Sequence, residues 1–155
     1  MAFTDYGFAE VKTYIQSGNV LFKTDAPDES QLVIEMEELI EKGFGFRTDV
    51  IVRKTNDLKF ILNSSPIGKL VEMTDKKMYI TFLKQPISQL IPLPLYSKNK
   101  DIEIVYQNSY DLISVSHEVK GTYGFPNSFI EKLTKIPATT RNPNTLEKIL
   151  AMVGG

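Results

Sequence analysis

Apolar and polar positions along this chain change period several times, and each change marks an element. Val11, Tyr14, Ile15, Val20, Leu21 and Phe22 are strand formers, interrupted by Ser17-Gly18-Asn19. That pattern predicts a tight β-hairpin over residues 11–22 with its turn at Gly18-Asn19, two residue types that tolerate the positive φ of a primed turn. From Asp28 to Lys42 the period lengthens. Leu32, Val33, Met36, Leu39 and Ile40 form one apolar helical face, with Glu35, Glu37, Glu38 and Glu41 on the wet side. Asp28 followed by Gln31 resembles a capping box, and Gly43 is the expected residue after the helix, with Gly45 reinforcing the break.

Thr48–Lys54 reads as a short strand. Thr55-Asn-Asp then caps a helix through Leu58, Ile61 and Leu62 that Pro66 stops. Residues 64–75 read as a loop or a short helix. Lys77–Leu83 is a strand, with Met78, Ile80 and Phe82 alternating against Tyr79, Thr81 and Leu83. Pro86 opens a short helix through Leu90 and Ile91, closed by Pro92 and Pro94. Residues 101–106 and 110–116 predict a second hairpin, and residues 117–127 a loop. Ser128 with Glu131 forms a capping box before Phe129, Ile130 and Leu133. A last helix runs from Pro143 to Met152 and buries Leu146, Ile149 and Leu150.

Helices and strands interleave, but adjacent strands pair as hairpins, which favours α+β with antiparallel sheet over a doubly wound parallel fold. Each half holds a hairpin followed by an amphipathic helix, an echo that two ferredoxin-like subdomains would explain. The expected division is residues 1–63 for the first subdomain with its connecting helix, and 64–155 for the second.

Composition narrows the function classes. The chain has 155 residues, is 42% hydrophobic and 24% charged, and carries a net charge of −1. This balance is ordinary for a globular protein and shows no basic excess, so a nucleic-acid partner is not favoured. There are no cysteines, hence no disulfide, thiol nucleophile or thiolate metal site. No apolar run reaches the roughly 18 residues of a membrane-spanning helix, and no signal peptide is evident, so a cytoplasmic protein without membrane contact is expected.

Three stretches carry a resemblance. Thr13-Tyr-Ile-Gln-Ser-Gly-Asn19, Val50-Ile-Val-Arg53 and Thr139-Thr-Arg-Asn-Pro-Asn-Thr145, in that order, resemble the bacterial family of domain of unknown function 1697. The resemblance implies a small cytoplasmic α+β protein of two related subdomains, and implies no activity. Two departures stand out. Pro143 occupies a position where the family usually has Trp. The family's opening strand, Leu-Arg-Gly-Ile-Asn-Val-Gly, and most of its first helix are missing, so the chain starts within that helix near Ala2-Phe3. Phe3, Tyr6 and Gly7-Phe8 fit its last turn. In a ferredoxin-like unit the missing strand would be central. Three outcomes would follow: direct parallel pairing of residues 19–23 with 50–53, a strand supplied from elsewhere or by self-association, or poor order. Direct closure needs no partner and is the expectation.

Candidate chemistry is sparse. His117-Glu118 lacks the second His of a zinc motif, so the single histidine reads as structural and no metal is expected. Gly43-Phe-Gly45 lacks the Lys-Ser/Thr of a phosphate loop, no serine has a nucleophile-elbow context, and no cofactor is expected. Around Thr139–Thr145, Asn142 suits a helix N-cap and Pro143 the first helical position. A helix N-terminus with Arg141 beside it could also hold a phosphate or carboxylate. Gln16, Ser17 and Asn19 are either a hairpin turn or hydrogen-bonding groups on a rigid support. Arg53 is either a solvent-facing or ion-paired strand end, or a second cation. The expected ligand set is Gln16, Ser17, Asn19, Arg53, Arg141 and Asn142, serving a binding module for a small anion. The alternatives are an enzyme acting on a phosphorylated or carboxylated metabolite, and a nucleic-acid-associated protein.

Overall fold

The structure is a computed structural model that describes residues 9–14, 19–23, 28–63 and 76–152. It divides into two compact units, one of residues 1–52 with 147–155 and one of residues 53–146. Helices and wholly antiparallel strand pairs make the protein α+β. Among the described residues no helix is long and apolar enough to cross a membrane.

In the first unit, β1 (Ala9–Tyr14) pairs antiparallel with β2 (Asn19–Lys23), with Tyr14 opposite Asn19 and Lys12 opposite Leu21. These are the expected hairpin arms; the turn residues 15–18 lie outside the described residues. Helix α1 follows (Glu29–Phe44). The Asp28 carboxylate accepts from the N–H groups of Ser30 and Gln31 at 2.9 and 3.3 Å, so the acid caps the helix. Gln31 does not reach back as a capping box requires; its amide points to Glu35 at 3.5 Å. Gly43 stays inside the helix. Gly45 ends it, at φ 77, where a side chain would be strained, and its N–H bonds the Glu41 carbonyl. Leu32 and Met36 are buried, with Phe22, Val50 and Val52 packed against them.

The expected strand at Thr48–Lys54 does not form, nor does its parallel pairing with residues 19–23. Val50 and Val52 do share one side of the segment, as strand residues would. That side packs on α1, and the segment joins no hydrogen-bonded ladder. Alternation alone specifies a buried face, while a strand also needs the repeating hydrogen bonds of a ladder.

The second unit opens with α2 (Thr55–Leu62), whose N-cap is Lys54 rather than the expected Thr55, without a side-chain cap bond. The sheet strands are β3 (Lys76–Leu83), β4 (Leu95–Tyr96), β5 (Ile102–Gln107), β6 (Asp111–Val119), β7 (Thr122–Tyr123) and β8 (Ala138–Arg141). Their order is β4-β5-β6-β3-β8, with β7 paired to β6. The β5–β6 hairpin matches expectation. The helix expected after Pro86 is absent: Ile87 and Ile91 pack against the core, and the Gln107 amide bonds both backbone groups of Ile91. Residues 117–127 are not a plain loop, because β6 continues to Val119 and β7 folds back with Tyr123 opposite Glu118.

Helix α3 (Pro126–Thr134) begins at Pro126, which places Ser128 inside the helix, so the expected Ser128–Glu131 capping box does not form. Pro126 at the first position sets the start, since it has no N–H to lose there. Glu131 instead accepts from the Asn127 amide and the Ala138 N–H, both at 3.1 Å. Helix α4 (Pro143–Ala151) closes the described chain. The core between sheet and α3 holds Leu83, Ile104, Leu112 and Ile130, all fully buried.

Candidate functional site

Strand register decides which side chains meet. Ile80 pairs with Arg141, Phe82 with Thr139, and on the other side Phe82 pairs with Asp111. Paired residues share a face, so Ile80, Phe82, Asp111, Thr139 and Arg141 lie on the side of the sheet opposite the α3 core. Ile80 and Phe82 are buried there.

Arg53 is the first residue of this unit, and its side chain reaches the end of β3. Nε donates to Asp111 Oδ1 at 3.1 Å, and Nη2 donates to the carbonyls of Leu83 and Tyr110 at 2.8 and 3.2 Å. The guanidinium sits 5.6 Å from the Phe82 ring centroid and 5.4 Å from that of Tyr110. Both ion-pair side chains are mostly covered, at 15% and 14% exposure. Burial raises the Asp111 pKa and outweighs the opposing Arg53 charge and the hydrogen bonds from Arg53 and Asn108, with the Asp57 charge adding to the rise. Asn108 braces the same corner by accepting from the N–H groups of Tyr110 and Asp111.

Arg141 ends β8, a strand absent from the sequence reading because Ala138-Thr-Thr-Arg141 shows little apolar alternation. Its strand is clamped from the core side. Thr140 Oγ1 bonds Asn127 and Thr81 at 2.8 Å each, while Glu131 holds the Ala138 N–H. With the backbone so fixed, Arg141 Nη1 donates to Thr139 Oγ1 at 2.5 Å and to the Thr140 carbonyl at 2.9 Å. Burial lowers the Arg141 pKa. Asn142 caps α4: its Oδ1 accepts from the Thr145 N–H at 2.8 Å. The capping reading of Asn142 therefore holds.

Arg53, Arg141 and Asn142 thus belong to one unit, with Phe82 and Thr139 as neighbours in register between the two arginines. Asn19 opens β2 of the other unit, and Gln16 and Ser17 lie outside the described residues. Sequence reasoning placed Thr139 in the polar cluster without a role of its own and missed Asp111; both roles depend on strand register. Ser114, buried on the α3 side, has the one buried side-chain oxygen without a hydrogen-bond partner among the described residues. Among those residues no group of three or more His, Asp or Glu side chains is placed to hold a metal ion.

A family model described as a protein of unknown function (DUF1697) matches residues 1–109. The matched span contains Thr13–Asn19 and Val50–Arg53, and the chain belongs to this family. No curated protein and no solved structure matches the chain.

Proposed function

We propose that this DUF1697 family member is a binding module for a small anionic ligand, a phosphate or a carboxylate. Arg141 is the principal contact, Asn142 lies beside it at the head of α4, and Arg53, paired with Asp111, braces the same face. The observation that carries this reading is the half-buried guanidinium of Arg141, held by Thr139, in a residue two positions before a helix. Burial strengthens a cation's attraction for any anion that reaches it, and the guanidinium fork suits two oxygens at once. The N-terminus of α4 adds a partial positive charge.

The second unit supports a ferredoxin-like reading of the fold. Taken as β8-β3-β6-β5, its four main strands follow the fourth-first-third-second order of that unit, with coil replacing the first crossover helix.

Calorimetric titration with inorganic phosphate and with citrate tests the function. Saturable binding that weakens at least tenfold in Arg141→Ala, and is unchanged in Asn19→Ala, supports it. Equal binding by wild type and Arg141→Ala overturns it. The competing readings separate in the same samples. Turnover of a phosphorylated metabolite would indicate an enzyme, and steeply salt-dependent binding of an oligonucleotide would indicate a nucleic-acid partner.

A further inference from the structure

Four residues along β3 from Ile80, the partner of Arg141, Lys76 pairs with His117. That separation is about 13 Å along the strand, so this is a different place on the sheet. His117 is the only histidine of the chain. Its Nε2 lies 3.1 Å from Glu103 Oε1. A carboxylate only accepts, so Nε2 carries a proton, and in the neutral form of the ring the lone pair is on Nδ1. Nδ1 makes no hydrogen bond among the described residues, and the His117 side chain is 24% exposed. The Glu103 charge, with burial and a hydrogen bond, also raises the pKa of the neighbouring Tyr96 phenol. Tyr96 pairs with Glu103 and Lys76 with His117, while Glu103, whose own partner on β6 is Val115, meets His117 diagonally two residues along, so a phenol, a carboxylate, an imidazole and an ammonium are carried close together on one face.

This is more than a surface histidine. A carboxylate on one ring nitrogen fixes the tautomer and the orientation of the ring. The register places the Lys76 Cβ about 5 Å from that of His117, within reach of oxygens attached to the ring.

We infer that His117 is a phosphoryl-acceptor site, reacting through Nδ1 with a phosphoramidate or acyl phosphate donor. The Nδ1 lone pair attacks phosphorus and forms the N–P bond as the donor's P–N or P–O bond breaks. The amine or carboxylate leaves with that bond's electron pair. The Nε2 proton stays on the ring, where Glu103 stabilises the cationic imidazolium. Lys76 faces the phosphoryl oxygens. No redox change and no further reactant is needed.

Phosphoramidate is the probe. Intact-mass analysis should show a single phosphate on the folded protein, and nitrogen-detected NMR should assign it to Nδ1. An unconstrained histidine reacts readily at the less hindered Nε2, so the attachment point distinguishes an oriented imidazole from an exposed one. Glu103→Gln should slow the reaction at least about tenfold, and Lys76→Met should slow it further while both variants keep their circular dichroism. A product at Nε2, or no product, overturns the inference. So does a rate indifferent to Glu103 in a folded variant. The attachment point is read on the wild-type protein and does not depend on any variant folding.

Discussion

Arg53 and Arg141 lie on the same face of the same sheet, on either side of Phe82 and Thr139, yet they are held by different kinds of group. Arg53 meets a carboxylate, two carbonyls and two aromatic rings. Arg141 is aimed by a hydroxyl and a carbonyl of its own strand, and burial lowers its pKa. Full charges and ring faces together close a corner of the fold around Arg53. A hydroxyl and a carbonyl dipole of its own strand orient the Arg141 cation. The first arrangement builds structure, and on the function proposed above the second presents a cation to a ligand.

The largest test of that contrast is Arg53→Ala. It leaves Asp111 as a covered carboxylate without its main counter-charge, and losing one partner of such a pair costs about 3–5 kcal/mol. Urea melts should show this as a lower midpoint with an unchanged slope. The double change Arg53→Met with Asp111→Asn removes both charges and should be clearly more stable than Arg53→Ala. A double variant no better than the single one would place the loss in the ring contacts instead.

The proton on Asp111 gives a second measurement of the same corner. Its pKa is raised chiefly by burial, so between the ordinary carboxylate value and the raised one the folded protein holds the proton and the unfolded chain releases it. The stability linked to this group is therefore full below the ordinary value and lost as pH rises through the raised one. Carboxyl-carbon NMR should show Asp111 titrating above an unperturbed aspartate. Arg53→Met should push it higher still, because the Arg53 charge opposes the rise. Asp111→Asn should remove this component of the stability–pH slope. An Asp111 pKa that falls on losing Arg53 would reverse the assignment.

Much of this contrast was out of reach of the residues alone. The helix at Glu29–Phe44 and the Ile102–Val119 hairpin were legible because their periods are clean and their ends carry turn residues. Asn142 was legible as a cap because Pro143 follows it. Strand β8 was not, since its pairing with β3 joins distant parts of the chain while Ala138-Thr-Thr-Arg141 shows little apolar alternation. Thr48–Lys54 misled in the opposite direction: Val-Ile-Val signals a buried extended face, and sequence does not say whether a ladder partner stands beside it. Arg53 could be read as ion-paired, but its partner lies 58 positions away in the chain. The His117–Glu103 pair likewise required the register of β5 on β6.

Asn142 sharpens the Arg141 side of the comparison at a smaller energy. Asn142→Ala removes the oxygen that receives the Thr145 N–H and should cost about 1 kcal/mol. Asn142→Asp keeps a capping oxygen and adds a negative charge, which favours the helix end but repels an anion. The expected result is near-native stability with weakened phosphate binding. Matched losses of stability and binding in both variants would make Asn142 a cap alone.

Arg141 itself should show the smallest effect on stability and the largest on ligand. It donates to Thr139 and Thr140 on its own strand, and that strand is already held by Glu131, Asn127 and the β3 ladder. Arg141→Ala should therefore destabilise the free protein by no more than about 1 kcal/mol, the scale of one net hydrogen bond. A phosphate present at a hundred times its dissociation constant should stabilise the wild-type protein by about 2.7 kcal/mol, and most of that gain should vanish in the variant. Arg141→Lys separates charge from geometry, since lysine keeps the cation but loses the planar fork that engages two oxygens. An intermediate gain in Arg141→Lys would assign part of the binding to that fork, and a gain equal to wild type would assign it to charge alone. If Arg141→Ala instead destabilises the ligand-free protein as much as Arg53→Ala does, the two arginines are both structural and the contrast between them fails.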